Sequence, residues 1–245
     1  MGPMIEISKV NVIPAYQMVS MELQRLILEG TIRPGEALPS ETDLAGRFGV
    51  NRSTVREGIR QLESEGLVRR AGRKKLLITI PGQADISPRV ERALLLHEVT
   101  FGELWEMALA LEPLTAARAA ERATETQIQA LKDNVDLLEA AVTRGEPSDV
   151  IDTEFHTLLA ECTGNRALLL SREPIGQLLF RPYVELSPHV PQAPARNLRA
   201  HKEILAALIA RDSDQARHWM ERHIRDLRTG WEMAGRTMAD PIGAN

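Results

Sequence analysis

Apolar residues recur at helical spacing along almost the whole chain. Met18, Val19, Leu23, Leu26 and Ile27 mark one face of a helix over Tyr16 to Glu29, ended by Gly30 and the Pro34-Gly35 turn. A second, short helix opens at Pro39-Ser40, with Ser40 and Asp43 spaced as a capping box, and stops at Gly49. After the turn Gly49-Val50-Asn51 a third helix starts, capped by Asn51 or Ser53, with Val55, Ile59 and Leu62 at i, i+4 and i+7 on its buried face. Gly66 closes it. Leu67-Val68 and Leu76 to Ile80 read as two short strands around the turn Ala71 to Lys75, a β-wing.

Pro81-Gly82 and then Asp85 to Pro88 break the pattern and predict a linker over 81–89. From there helical spacing returns over 90–97, 101–121, 124–144, 147–163, 165–186, 195–211 and 213–235, with no credible alternating strand. The expected fold class is therefore mainly α. It comprises an N-terminal winged helix-turn-helix over 1–80 with a small β-wing, a C-terminal all-α bundle over 90–237, and a tail over 238–245. Aromatic residues make up only 4% of the chain, so the bundle core should be aliphatic.

Charge sharpens the picture of the N-terminal part. The third helix carries Arg52, Arg56 and Arg60 on the side opposite its apolar face, with Ser53 and Thr54 in its first turn. That suits a helix entering a DNA major groove. Arg52 to Lys75 holds basic residues at 52, 56, 60, 69, 70, 73, 74 and 75 against acidic ones at 57, 63 and 65, an excess of the sign that phosphate contact requires. Residues 1–80 hold 12 Lys and Arg against 9 Asp and Glu, and the remainder 18 against 25, a basic reader joined to an acidic body. The candidate DNA-contacting residues are Ser40, Thr42, Asn51, Arg52, Ser53, Thr54 and Arg56, with Arg73 and Lys74 in the wing. No apolar run approaches the ~18 residues of a bilayer span, and the N-terminus lacks a signal pattern, so no membrane contact and a cytoplasmic location are expected. The single cysteine, Cys162, excludes an intramolecular disulfide and reads as a buried small hydrophobe.

In the bundle, Asp152 and His156 are four apart and share a helix face, His201 opens the apolar stripe Ile204, Leu205 and Leu208, and His223 lies on the face of Trp219, Met220 and Leu227. On spacing alone two readings stand: inward histidines satisfied by core hydrogen bonds, or a shared site for a divalent metal, which accepts imidazole nitrogen and carboxylate oxygen together. His97, His189 and His218 lack such a context.

These residues together resemble the GntR family of bacterial transcription regulators, in its FadR-type branch with a C-terminal FCD effector domain. The resemblance rests on Leu38-Pro39-Ser40-Glu41, Phe48-Gly49-Val50, Arg52-Ser53-Thr54-Val55-Arg56-Glu57 and Leu62-Glu63 with Glu65-Gly66-Leu67. In the second half it rests on Glu106 with Leu111-Glu112-Pro113, Asp152 with Phe155-His156, Thr163-Gly164-Asn165, and His201-Lys202-Glu203-Ile204 followed by His223. It implies a homodimer on a short inverted repeat of double-stranded operator DNA, and a helical domain that senses a small metabolite. It further implies that Asp152, His156, His201 and His223 ligate a divalent transition metal, zinc first, with nickel and manganese as alternatives. A small organic acid completes the coordination, and Asn165, Arg181 and Arg196 are the candidate effector-binding residues. Two positions depart from the family pattern: Thr42, where many relatives have Arg, and Ala108, where a cationic residue is usual.

The function expected is a DNA-binding transcription regulator, a repressor modulated by a carboxylate metabolite. The alternative is a metal-dependent hydrolase at the same Asp/His site, since an open metal position activates water. Against it, Glu112, Glu154 and Glu161 offer carboxylates but no spacing that singles out a general base, so no catalytic residue is assigned.

Overall fold

Val55, Ile59 and Leu62 are all fully buried, as their spacing requires, and around them the first folding unit assembles. The computed structural model describes residues 12–72, 75–180 and 190–243. Contacts divide the chain into two units between Asp85 and Ile86.

In the first unit, α1 (Ala15–Leu28), α2 (Glu41–Phe48) and α3 (Arg52–Ser64) precede an antiparallel pair, β1 (Val68–Arg70) and β2 (Leu76–Ile78), with Val68 opposite Ile78. Ser40 caps α2 by accepting the Asp43 N–H, and Gly49 ends the helix in the left-handed conformation (φ 66°), a turn only glycine makes without strain. Asn51 caps α3 by accepting the Thr54 N–H at 2.8 Å. Gly58 lets α3 close on α1, since a Cβ there would lie 2.8 Å from the Tyr16 carbonyl oxygen. The wing strands are shifted from the sequence reading: β1 takes in Arg69 and Arg70, because the hydrogen-bonded register continues through Arg70↔Leu76.

The expected linker over 81–89 is helical for most of its length, in α4 (Gln83–Leu96), with Pro88 inside the helix. The Asp85 carboxylate reaches back to the Gly82 N–H at 2.9 Å, half of a capping box, so Asp85 starts a helix where it was read as breaking one. The second unit continues with α5 (Phe101–Arg122), α6 (Glu125–Arg144), α7 (Asp149–Cys162), α8 (Arg166–Phe180), α9 (Ala193–Ile209) and α10 (Ser213–Met233). Thr100 and Thr124 open α5 and α6 with complete capping boxes.

The bundle core is largely aliphatic, and its few aromatics are structural. Phe101 stacks on Trp231 at 4.1 Å, and the Trp105 indole donates to the Ile224 carbonyl at 2.8 Å, which ties α5 to α10. Ala108, the position lacking the usual cation, is buried in this core, as is Cys162. The expected tail is not loose between residues 238 and 243. Phe101 and Gly102 donate backbone hydrogen bonds to the carbonyls of Asp240 and Met238, and Ile242 is buried. Among the described residues no helix is long and apolar enough to cross a membrane.

Candidate functional sites

The exposed side of α3 presents Arg52, Arg56 and Arg60, with 61%, 46% and 62% of each side chain accessible. Ser40, Thr42, Arg52 and Arg56 meet around a groove of about 510 Å³ that Arg70 of the wing also lines. Arg56 is ion-paired. Its Nη2 donates to Glu41 at 2.7 Å and its Nε at 3.2 Å, and the same carboxylate lies 3.9 Å from Arg52. Glu41 is held below the usual carboxylate range by the hydrogen bond from Arg56. Asn51, Ser53 and Thr54 form one cap, since both hydroxyls donate to the Asn51 Oδ1, at 2.6 and 2.9 Å. Arg73 and Lys74 lie outside the described residues. Glu41 and Arg70, which also line the groove, were not among the candidate DNA-contacting residues: a carboxylate looks misplaced in a basic groove until its arginine partners are seen.

In the bundle, α7 supplies Asp152 and His156, α9 supplies His201 and α10 supplies His223. All four are buried, and one donor atom from each lies within 4.8 Å of every other. Ring packing fixes the imidazoles: Phe155 stacks on His201 at 3.8 Å, and Phe180 on His156 at 4.4 Å. Two edges of the cluster are short, with His156 Nε2 3.2 Å from His223 Nε2 and Asp152 Oδ1 3.2 Å from His201 Nε2.

Those edges are close to the ~3.3 Å separating neighbouring donors around a tetrahedral ion with bonds of about 2.0–2.1 Å. Both His201 nitrogens are buried without a hydrogen-bond partner, because the Asp152 oxygen, although near, is not in line. An orphaned buried imidazole is costly in a core held only by hydrogen bonds. The four residues thus fit a divalent ion of borderline softness better than they fit a self-satisfied core.

The surroundings set the charge states. Burial, reinforced by the neighbouring imidazoles, pushes His223 down to about 3. Burial also lowers His201, against the pull of Asp152. Asp152 stays well below the usual carboxylate range: burial would raise it, but the close approach of His201, at 3.2 Å, and the imidazoles around it outweigh burial. It also accepts from Asn197 Nδ2 at 2.6 Å. Behind His156, Glu112 accepts from its Nδ1 at 3.0 Å and from Arg172 Nε at 2.8 Å. Burial works against that carboxylate, yet Arg172 and His156 hold it at about 2. Arg172, itself 1% exposed, also pairs with Glu173 at 3.0 Å.

This second layer was largely missed. Asn197 stands four residues before His201 and so on the same helical face, a signal the spacing did offer. Glu112 stood in the Leu111-Glu112-Pro113 motif and among the possible bases, with no link to His156. Arg172 and Glu173 reach the site from α8, for which the sequence has no periodic clue.

The three expected effector residues part company. Arg196 lines a cavity of about 120 Å³ that His223 also lines. Asn165 does not share it: its side chain accepts the Ala167 and Leu168 N–H groups at 3.1 and 3.2 Å, capping α8, a task that occupies its oxygen. Arg181 lies outside the described residues.

The sequence and the fold agree with those of known proteins. The FCD domain family matches residues 103–226, and the gntR family of bacterial regulatory proteins matches residues 15–78. The Uxu operon transcriptional regulator of Escherichia coli K12 is 32% identical over 221 residues, covering 87% of this chain and 85% of that protein. The HTH-type transcriptional repressor NanR of Cronobacter sakazakii is 27% identical over 224 residues, covering 88% and 85%. Among solved structures, Streptococcus agalactiae GntR superposes with a TM-score of 0.65 at 28% identity, covering 87% of this chain and 99% of that one. These are transcription regulators and not enzymes, which removes the ground for a hydrolase. The chain belongs to the gntR family of bacterial regulatory proteins, with a C-terminal FCD domain, and is a DNA-binding transcription regulator.

Proposed function

We propose that this regulator is a metabolite-responsive repressor, in which a small organic acid bound at a divalent metal in the helical unit weakens operator binding by the winged-helix unit. The observation that carries the reading is the buried quartet Asp152, His156, His201 and His223, whose donors converge within 4.8 Å while both His201 nitrogens lack hydrogen-bond partners. Three neutral imidazoles and one carboxylate leave a divalent ion with net positive charge, which an anionic ligand offsets. Zinc suits the donor set, and nickel and manganese are the alternatives. The repressor sign follows the name of the NanR relative.

On the DNA side, Arg52 and Arg56 read base edges, Ser40, Thr42, Asn51, Ser53 and Thr54 fix the approach to phosphate, and Arg73 and Lys74 extend contact along the wing. One recognition helix spans too few base pairs for genomic specificity, so two copies bind an inverted repeat as a homodimer.

The test is a panel of carboxylic acids screened by thermal shift, with hits carried into operator titrations on wild type and His201→Ala. The reading requires hits that stabilise wild type, leave His201→Ala unmoved and weaken operator binding about tenfold. By reciprocity those acids bind about tenfold more weakly to the DNA complex. Hits that shift both proteins equally, or that leave operator affinity unchanged, separate the metal from the switch and refute it.

A further inference from the structure

The cavity between α9 and α10 is unusual for the charge that faces it. Arg196, Arg199 and Arg222 all line it, against one carboxylate, Asp226. Arg199 and Arg222 lie 5.8 and 5.2 Å from the centre of the Trp219 ring, a cation–π arrangement that holds both beside the cavity. Arg196 Nε stands 3.0 Å from Asp226, yet its Nε and Nη2 atoms are buried and make no hydrogen bond. Buried donors of a charged group left unmade are costly, and an oxyanion is the partner that a guanidinium fork matches.

Size narrows the occupant. About 120 Å³ is far below the roughly 300–1,000 Å³ of pockets that enclose a whole small molecule. It suits a single acidic group. His223 belongs both to this cavity and to the Asp/His quartet, so the three arginines stand beside the quartet.

We infer that this cavity is an oxyanion subsite, taking a phosphate or carboxylate group through Arg196, Arg199 and Arg222, and that the effector therefore carries two acidic groups. The second half of this inference rests on the metal-bound acid proposed above; the first does not.

The test uses the full-length protein and begins with inorganic phosphate and sulfate, read by the fluorescence of Trp219 in the cavity wall. Wild type should show a saturable change that disappears in Trp219→Phe. Affinity should fall at least tenfold in Arg196→Gln/Arg222→Gln and measurably in Arg222→Gln alone, an exposed site where folding is not at stake. The affinity should be the same in chelator-stripped wild type. No saturable change, or equal affinity in wild type and both arginine variants, overturns the subsite.

The second arm compares dicarboxylates from malonate to adipate with monocarboxylates of the same length. At least one dicarboxylate should bind tenfold more tightly than its monoacid, an advantage lost in the double arginine variant. Monoacids that bind with no gain from a second acid group contradict the two-acid effector while leaving the metal reading standing. Phosphate that binds while no carboxylate does removes the metal reading and leaves the subsite.

Discussion

Glu112 Oε2 lies 3.0 Å from His156 Nδ1, with both side chains essentially inaccessible. Because Glu112 stays ionised, it takes the Nδ1 proton as a hydrogen bond and leaves Nε2 to face the quartet. Arg172, on the other Glu112 oxygen, keeps that carboxylate charged inside the bundle. The chain Arg172–Glu112–His156 therefore fixes the tautomer of one candidate ligand before any ion arrives.

Glu112→Gln keeps the shape and removes the charge. Metal affinity should drop about 10–100-fold, the usual cost of losing such a support, when measured by competition with a chromogenic chelator. Affinity within twofold of wild type would show that His156 needs no carboxylate behind it.

Acid should destabilise the metal-free protein. His223 titrates near 3 in the fold and His201 below its ordinary value, against about 6.5 in the unfolded chain. As pH falls through 6.5 toward 3, the unfolded chain takes up protons that the folded chain refuses, and stability is lost across that window. Glu112 and Asp152, also depressed, add losses of the same sign below about pH 4. The Tm of the chelator-stripped protein should decline steadily from pH 7 to pH 5; a flat or rising Tm contradicts the buried neutral imidazoles.

On the DNA side, Arg52→Ala and Arg56→Ala should each cost ~1–3 kcal/mol of specific binding. Glu41→Ala frees Arg56 from its 2.7 Å contact, so operator preference should relax while non-specific binding is retained or strengthened. Titrations on operator and random duplex at fixed salt decide the matter. Equal losses on both duplexes would make these arginines phosphate contacts.

Asn51→Ala removes the cap of α3 and the common acceptor of Ser53 and Thr54. Urea unfolding should show a loss of about 1 kcal/mol. An unchanged midpoint would mean that α3 is held by packing alone.

The helices were legible because they depend on local rules, whereas spacing left the quartet open and only the family resemblance joined its four members. Ser40, Gly49 and Asn51 mark helix ends with their own side chains or backbone conformation, and Asp152 with His156 needs only the i, i+4 spacing of a helix face. What escaped depends on tertiary placement. Arg172 meets Glu112 across 60 residues, and Ile242 is buried because the chain returns to Val99 and Phe101. Pro88 misled in the other direction: the Asp85 cap starts a helix that carries the proline along. Asn165 matched a family motif, but its side chain is used in capping α8.

The most direct test of the account is the metal content of the purified protein. Elemental analysis, on samples prepared without chelator and then dialysed against zinc, should find one divalent ion per chain in wild type and at most a small fraction in His201→Ala and Asp152→Asn. The absence of metal from wild type, with no rise in Tm on adding zinc, nickel or manganese, would contradict the metal centre on which the proposed switch rests.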